Sequence, residues 1–154
     1  MAPPEFVATE PFPPALAPMK ALSIRQPWAW LIIRPDLTDA EQRARELAKG
    51  RIKIIENRTW RTRERGTILV HASQGMTRAE YFGVMEFCYP LGVELPHFDD
   101  LQRGGIVGQV DIVDCVAHSE SPWYMGAVGF VLANAKPLPF RPLKGALGFF
   151  EVEP

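Results

Sequence analysis

The segment RIKIIENRTW combines a lysine, a glutamate, two arginines and a tryptophan with three isoleucines. On a regular strand alternate residues face the same side, so Glu56, Arg58 and Trp60 would continue the face of Ile52 and Ile54. Charged groups on a core-facing row are costly unless they are paired, hydrated or close to an opening of the core. The pattern therefore predicts that Glu56 and Arg58 either brace the rim of the core as an ion pair or line a polar pocket.

Lys53 would lie on the opposite face of such a strand, where a solvated amine needs no special explanation. A bulge or a tight bend would instead bring its amine to the side of Glu56 and Arg58. Grouped there, Lys53 and Arg58 would stabilise charge that develops on a phosphate, and Glu56 would be a general base for water. His71 is a candidate general acid, although a lone histidine on a strand is also typical of a structural residue.

Basic and aromatic residues around this segment indicate a surface for nucleic acid. Residues 49–66 contain seven basic and two acidic side chains, a local charge of +5 on a chain whose net charge is −1. Exposed aromatic rings stack on unpaired bases, and guanidinium groups bind phosphates and base edges. A solvated basic hairpin and tryptophans in the core, Trp30 above all, are the alternative interpretation, whereas we expect Trp123 on a loop. The candidate binding residues are Gln26, Trp28, Lys53, Arg58, Trp60, Arg61, Arg63, His71, Ser121, Trp123 and Tyr124.

Short strands and helices must position these residues. Alternation and β-branched content predict strands over 22–25, 52–60, 67–73, 104–118, 128–134 and 146–153. Helices are predicted from Pro27, from a capping box at Thr38 and Glu41 to about Lys49, and from a box at Thr77 and Glu80 to about residue 89. This order predicts an α+β fold, a small mixed β-barrel with two or three flanking helices.

Composition limits the class of protein. A chain of 154 residues, 47% apolar and 23% charged, is ordinary for one globular domain. Residues 1–18 contain six prolines and predict an extended arm, followed by a domain over 19–154. Lacking a long apolar run or a signal-peptide pattern, the chain is expected in the cytoplasm and off the membrane. Cys88 and Cys115 are expected as free thiols, and the spacing of cysteines and histidines predicts neither a metal nor another cofactor.

Several motifs together resemble the ASCH domain of the PUA-like superfamily, in its single-domain bacterial or phage type. These are LSIRQPWAWLI, GRIKIIENRTWRTRERGTILVHAS, GGIVGQVDIVDCV, SPWYMGAVGFVLAN and KGALGFFEV, in that order between about Met19 and Val152. The resemblance implies a PUA-like barrel with a cleft beside the first helix that contacts RNA or a modified nucleobase. Members of the family include coactivator domains, an amidohydrolase acting on N4-acetylcytidine and proteins with ribonuclease activity, so the fold alone fixes no reaction.

The amidohydrolase pattern, Lys-x-x-Thr-x-Arg, falls on Lys53, Glu56 and Arg58. Lysine and arginine are kept, but a glutamate stands in the place of the threonine nucleophile. A carboxylate is a poor replacement because it would form a mixed anhydride, although Glu56 can still act as a general base. We therefore expect a domain that binds RNA or a modified nucleobase. The alternative is a hydrolase of RNA or of an acylated nucleoside, with Lys53 and Glu56 as catalytic residues, and the third is a protein-interaction module.

Overall fold

A computed structural model describes residues 17–154. Six strands, three α-helices and two single 3₁₀ turns follow one another along this part of the chain. In chain order the strands and α-helices are β1 (Met19–Ile24), α1 (Trp28–Ile33), α2 (Ala40–Ala48), β2 (Ile55–Arg58), β3 (Gly66–Ala72), α3 (Arg78–Cys88), β4 (Gly105–Val116), β5 (Val128–Pro142) and β6 (Phe149–Val152). The α+β class is therefore confirmed, with the three helices all before β4.

The strands form one mixed sheet in the order β2-β5-β4-β3-β1-β6. Only β1 and β3 run parallel, and the other neighbours are antiparallel. The sheet is curled. Phe149 of β6 stacks on Phe130 of β5 with ring centroids 6.1 Å apart, although these two strands are not neighbours in the sheet. Within residues 17–154 no ladder joins β2 to β6, so the sheet is open and the expected barrel stays a prediction.

Helix α1 is held against the sheet by burial. Ala29, Leu31, Ile32 and Ile33 are at most 1% exposed, which leaves only two of its six residues partly open. A fully buried leucine or isoleucine contributes about 1.5–3 kcal/mol, which compensates for the weak intrinsic stability of so short a helix. Pro27 lies directly before the first turn, where its missing N–H costs no helical hydrogen bond. This packing fixes Trp28 beside the end of β1.

The sequence-based boundaries of β2 were too wide. Residues 52–54 lie outside the strand, because the Lys53 amide donates to Leu31 O at 2.9 Å instead of joining the β2 ladder. The Ile54 carbonyl accepts from the Leu132 amide at 2.8 Å, so the chain enters the sheet one residue before Ile55. Regular alternation is therefore lost between positions 52 and 55.

The two predicted capping boxes had different outcomes. The box at Thr77 and Glu80 is confirmed, with both reciprocal hydrogen bonds present at 2.8 and 3.1 Å. The prediction of Thr38 as the cap of α2 was wrong, since Asp39 caps that helix by accepting from the Gln42 amide at 2.8 Å. A carboxylate forms the stronger, charge-assisted bond and also favours the helix N-terminus.

Further expectations concern the membrane, metals and the arm. None of the described helices is long and apolar enough to span a bilayer. Among residues 17–154, no cluster of three or more histidine, cysteine or acidic side chains is arranged to hold a metal ion. Cys88 is a buried thiol and Cys115 a half-buried one, and both are unpaired as predicted. The arm predicted over 1–18 lies outside the described residues except for its last two.

Candidate functional site

A cleft of about 420 Å³ opens where β1 ends, α1 begins and β2 leaves the sheet. Two chain segments that are distant in sequence converge there, because β1 leads directly into α1 and β2 passes beside them. The lining residues are Ser23, Ile24, Arg25, Trp28, Glu56, Asn57, Arg58, Thr59 and Trp60. The cleft thus contains most of the charged and aromatic residues of the segment 51–60.

Glu56 lies between two cations. Its Oε2 accepts from Arg58 Nε at 3.0 Å and lies 2.9 Å from Nη2, and its Oε1 lies 3.7 Å from Lys53 Nζ. Arg58 Nη2 also donates to Ser23 O at 2.8 Å, which ties β2 to β1. The exposed fractions of the side chains are 2% for Lys53, 9% for Glu56 and 21% for Arg58. The three charged groups therefore form one set that opens outward at Arg58.

Lys53 is at the buried end of this set. Its amine donates to Ile55 O and lies 4.9 Å from the centre of the Trp28 ring. Burial lowers the pKa of Lys53 below its usual range, and Arg58 acts in the same direction while Glu56 opposes both. Because residues 52–54 leave the strand, the amine reaches the side of Glu56, which a regular strand would have prevented. The amine is consequently easier to deprotonate than that of a solvated lysine.

Trp60 provides the accessible ring of the cleft. It is 37% exposed and contacts Phe130 and Phe149 edge-on, with ring centroids 5.2 and 5.7 Å away. These contacts hold the indole at the seam between β5 and β6. Trp28 is half-buried between the Lys53 amine and Phe87, whose ring centroid is 5.9 Å away. Trp60 is thus an aromatic surface open to a ligand, and Trp28 forms the inner wall.

The basic residues that follow Trp60 lie on an exposed turn next to the cleft in sequence. Arg61 and Arg63 are exposed and, with Thr62, Arg65 and Cys115, line a shallow depression. They place several positive charges directly after Trp60 in the chain.

Comparison with known proteins gives a partial match. The chain is similar to activating signal cointegrator 1. It is 27% identical to the human and to the mouse protein over 101 residues, which is 64% of this chain and 15% of either relative. The chain thus matches only a small part of the length of these relatives. No family model matches the chain.

Some of the predicted ligand-binding residues lie outside the cleft. Gln26 is 3% exposed, and its amide is engaged inside the protein, donating to Gln102 O and accepting from the Trp30 amide at 2.9 Å each. Trp123 is on a loop as expected but is 1% exposed, because its indole packs in the core and donates to Gly50 O at 3.0 Å. Neither side chain offers a free face for a base.

Ser121 and Tyr124 belong to the same loop as Trp123. Ser121 Oγ accepts from the Trp123 amide at 3.1 Å, and the Tyr124 hydroxyl lies 2.7 Å from Ala117 O and 3.0 Å from Ala127 O. Both side chains shape the turn before β5 and lie outside the cleft lining. His71 lines a second cavity, where it is 2% exposed.

Asn57 is a cleft residue that sequence reasoning missed. Its Nδ2 donates to Trp123 O at 3.0 Å and its Oδ1 accepts from the Met125 amide at 2.8 Å. An asparagine that satisfies two backbone groups clamps the loop before β5 against β2. Ser23, Arg25 and Thr59 were missed as well, and only their closeness in sequence to Trp28 and Trp60 would have indicated them.

Proposed function

We propose that this chain contains an ASCH-type domain whose curled sheet is the PUA-like barrel of that family, and that its cleft binds single-stranded RNA or a nucleobase-containing ligand. The observation that carries the proposal is the convergence of Trp60, Trp28, Glu56 and Arg58 on one opening. The order of the family motifs and the similarity to activating signal cointegrator 1 support the family part of the proposal.

Trp60 supplies the stacking surface in this proposal. Stacking of a base on an aromatic side chain contributes roughly 1–3 kcal/mol and tolerates any base, since every base has a π-face. The edge-on contacts with Phe130 and Phe149 hold the ring in place, so little side-chain entropy is lost on binding.

Glu56 and Arg58 supply polar recognition. A carboxylate accepts from an exocyclic amino group, and a guanidinium donates to carbonyl oxygens and ring nitrogens of bases. Arg58 uses Nε and Nη2 for Glu56 and Ser23, and within residues 17–154 no protein atom bonds to its Nη1. Arg58 Nη1 is therefore available to donate to a base edge or a phosphate at the mouth of the cleft.

The arginines beyond Trp60 supply the contact with phosphate. Neutralising phosphates releases counterions, so affinity falls as the salt concentration rises. On a single strand, the slope of the logarithm of the binding constant against the logarithm of the salt concentration is about −0.7 per phosphate contact. Arg61 and Arg63 are exposed and directly follow the stacking residue in the chain. A nucleotide stacked on Trp60 would place its neighbouring phosphates within their reach.

Fluorescence anisotropy of a labelled single-stranded RNA oligonucleotide tests the proposal. Trp60→Ala is expected to weaken binding roughly 5- to 150-fold, which corresponds to the loss of one stacked base. Replacing Arg61 and Arg63 together by alanine removes two phosphate contacts and is expected to reduce the steepness of this slope by about 1.4. Matched controls are Tyr89→Ala, an exposed aromatic on the 3₁₀ turn after α3, and the pair Arg45→Ala and Lys49→Ala at α2. Equal binding by Trp60→Ala and wild type would overturn the cleft as the binding site.

One observation favours the hydrolase alternative, namely the lowered pKa of the Lys53 amine beside Glu56. An amine that loses its proton more readily than a solvated lysine is a candidate general base for water or for a ribose hydroxyl. Cleavage of the RNA, or release of acetate from acetylcytidine, by wild type but not by Lys53→Met would replace simple binding by this activity. If neither RNA nor nucleoside binds, the third candidate, a protein-interaction module, takes the place of both.

A further inference from the structure

A second cavity, of about 780 Å³, lies on another side of Ser23. Its wall includes Ser23, His71, Ser73, Gln74, Lys144 and Gly145. Ser23 and His71 are partners in the parallel pairing of β1 and β3, so their side chains stand side by side on one face of the sheet. The distance between Ser23 Oγ and His71 Nδ1 is 3.0 Å.

The second nitrogen of His71 settles the direction of this hydrogen bond. Nε2 lies 2.6 Å from the carbonyl oxygen of Leu143, which can only accept, so Nε2 carries the proton. In the neutral ring Nδ1 is then an acceptor, and Ser23 Oγ must donate its hydrogen to it. The result is a serine hydroxyl whose proton already points at a base, with a carbonyl that fixes the base tautomer and stabilises its protonated form.

The partners of this pair are themselves held in place. The Leu143 amide donates to Gly104 O at 3.0 Å, which anchors the residue whose carbonyl orients His71. The Phe150 ring contacts the imidazole edge-on at a centroid distance of 5.8 Å. His71 is 2% exposed and Ser23 is half-buried, so the base is shielded while the hydroxyl borders the cavity.

Gly145 packs closely against the pair. A Cβ at this position would lie 2.5 Å from Ser23 Oγ and 2.7 Å from His71 Cε1. Any other residue would therefore displace the serine or the imidazole, so the geometry of the pair depends on glycine here. Lys144, exposed at the rim of the cavity, places a positive charge beside the pair.

We propose that Ser23 and His71 form a nucleophile–base pair that hydrolyses carboxylic esters, preferably ones with a negative charge that Lys144 attracts. Ser23 Oγ forms a bond to the ester carbonyl carbon while its proton passes to His71 Nδ1. The bond to the alcohol oxygen then breaks, and the leaving alkoxide takes the proton from Nδ1, which leaves an acyl-serine and an alcohol. Water attacks the acyl-serine, His71 again takes a proton and returns it to Ser23 Oγ, and a carboxylic acid is released.

Labelling with a fluorophosphonate, which reacts with activated serine hydroxyls, tests this proposal together with hydrolysis of an aryl acetate. Wild type is expected to form one adduct that peptide mapping places on Ser23, and Ser23→Ala none. His71→Gln keeps a donor for the Leu143 carbonyl but cannot take up a proton, and it is expected to slow labelling and hydrolysis about 10²- to 10⁴-fold. Ser73→Ala, which changes another serine of the same cavity, is expected to react like wild type.

The pH dependence of labelling provides a readout that needs no variant. The rate is expected to rise as the imidazole loses its proton and then to reach a plateau. A wild type without an adduct, an adduct on a serine other than Ser23, or a rate independent of pH would each overturn the proposal. So would a folded His71→Gln protein that reacts as fast as wild type, with folding checked by its thermal unfolding transition.

Discussion

Two carboxylates in this protein pair with arginine in different surroundings. Glu56 Oε2 lies 2.9 Å from Arg58 Nη2, and the Glu56 side chain is 9% exposed, with the 2% exposed Lys53 behind it. Glu80 uses both oxygens for Arg25, with Oε1 2.6 Å from Nη2, and the two side chains are 38% and 49% exposed. Solvent readily replaces a lost partner at the exposed pair but not at the buried set. We therefore expect the charge pair to be essential at one site and dispensable at the other.

The largest effect is expected for Glu56→Ala. Its removal leaves the buried Lys53 amine without its carboxylate, and breaking a buried pair in this way costs about 3–5 kcal/mol of unfolding free energy. Urea denaturation at pH 7 measures the change. Glu151→Ala, a change of an exposed glutamate on β6, is the control and is expected to stay within about 0.5 kcal/mol of wild type. If Glu56→Ala lowered the unfolding free energy by less than about 1 kcal/mol, Glu56 would stabilise the fold no more than the exposed Glu80, which would contradict the comparison.

Lys53→Met is expected to change the unfolding free energy less than Glu56→Ala does, and to change its pH dependence. Replacing a buried charge by an apolar side chain of similar length removes a desolvation penalty, and Arg58 still neutralises Glu56, so stability at pH 7 is expected to change by less than about 1.5 kcal/mol.

The pH dependence follows from the lowered pKa of Lys53 in the folded state. Between that lowered pKa and the ordinary lysine pKa of 10.5 the unfolded chain binds more protons, so wild-type stability rises with pH in this interval. The difference between wild type and Lys53→Met, measured by urea denaturation from pH 7 to 10, should show this rise. A difference that is constant with pH would contradict it.

The smallest effect is expected for Glu80→Gln. The amide keeps the reciprocal bond to the Thr77 amide and removes only the charge that faces Arg25. An exposed pair contributes about 0–1 kcal/mol, so the loss at pH 7 should stay below about 1 kcal/mol. The hydrogen bond from Arg25, together with that from the Thr77 amide, lowers the pKa of Glu80 from 4.5 to about 2. The stability that the Glu80 charge contributes is therefore present above pH 4.5 and is lost as pH falls toward 2. Near that pH the unfolding free energies of wild type and variant should become similar.

Local signals were predictable from the sequence, and contacts between distant segments were not. The Thr77–Glu80 box and the shared face of Glu56 and Arg58 each depend on residues within one turn or one short strand, and the structure has both. The position of Lys53 depends on a hydrogen bond between its amide and Leu31 O, which no local pattern encodes.

The same limit explains the residues that were placed wrongly or missed. Serine, proline and glycine around Trp123 correctly indicate a loop, but its burial comes from packing against α3 and the chain before β2. Ser23 and His71 are 48 residues apart, and the parallel pairing of β1 with β3 alone brings them together. Sequence patterns describe what a strand presents on each face, whereas strand order decides which faces meet.

The position of β2 at the end of the strand order has a consequence for solubility. Within the described residues β2 pairs with β5 alone, so its other side has no strand partner and could pair with a strand from a second molecule, except at the Ile55 carbonyl, which accepts from the Lys53 amine. Its shortness and the charges of Glu56 and Arg58 oppose such pairing, since a foreign strand would have to desolvate them. The residues that form the cleft therefore also protect the protein from edge-to-edge aggregation, and neutral substitutions there should be screened for self-association before a loss of binding is interpreted.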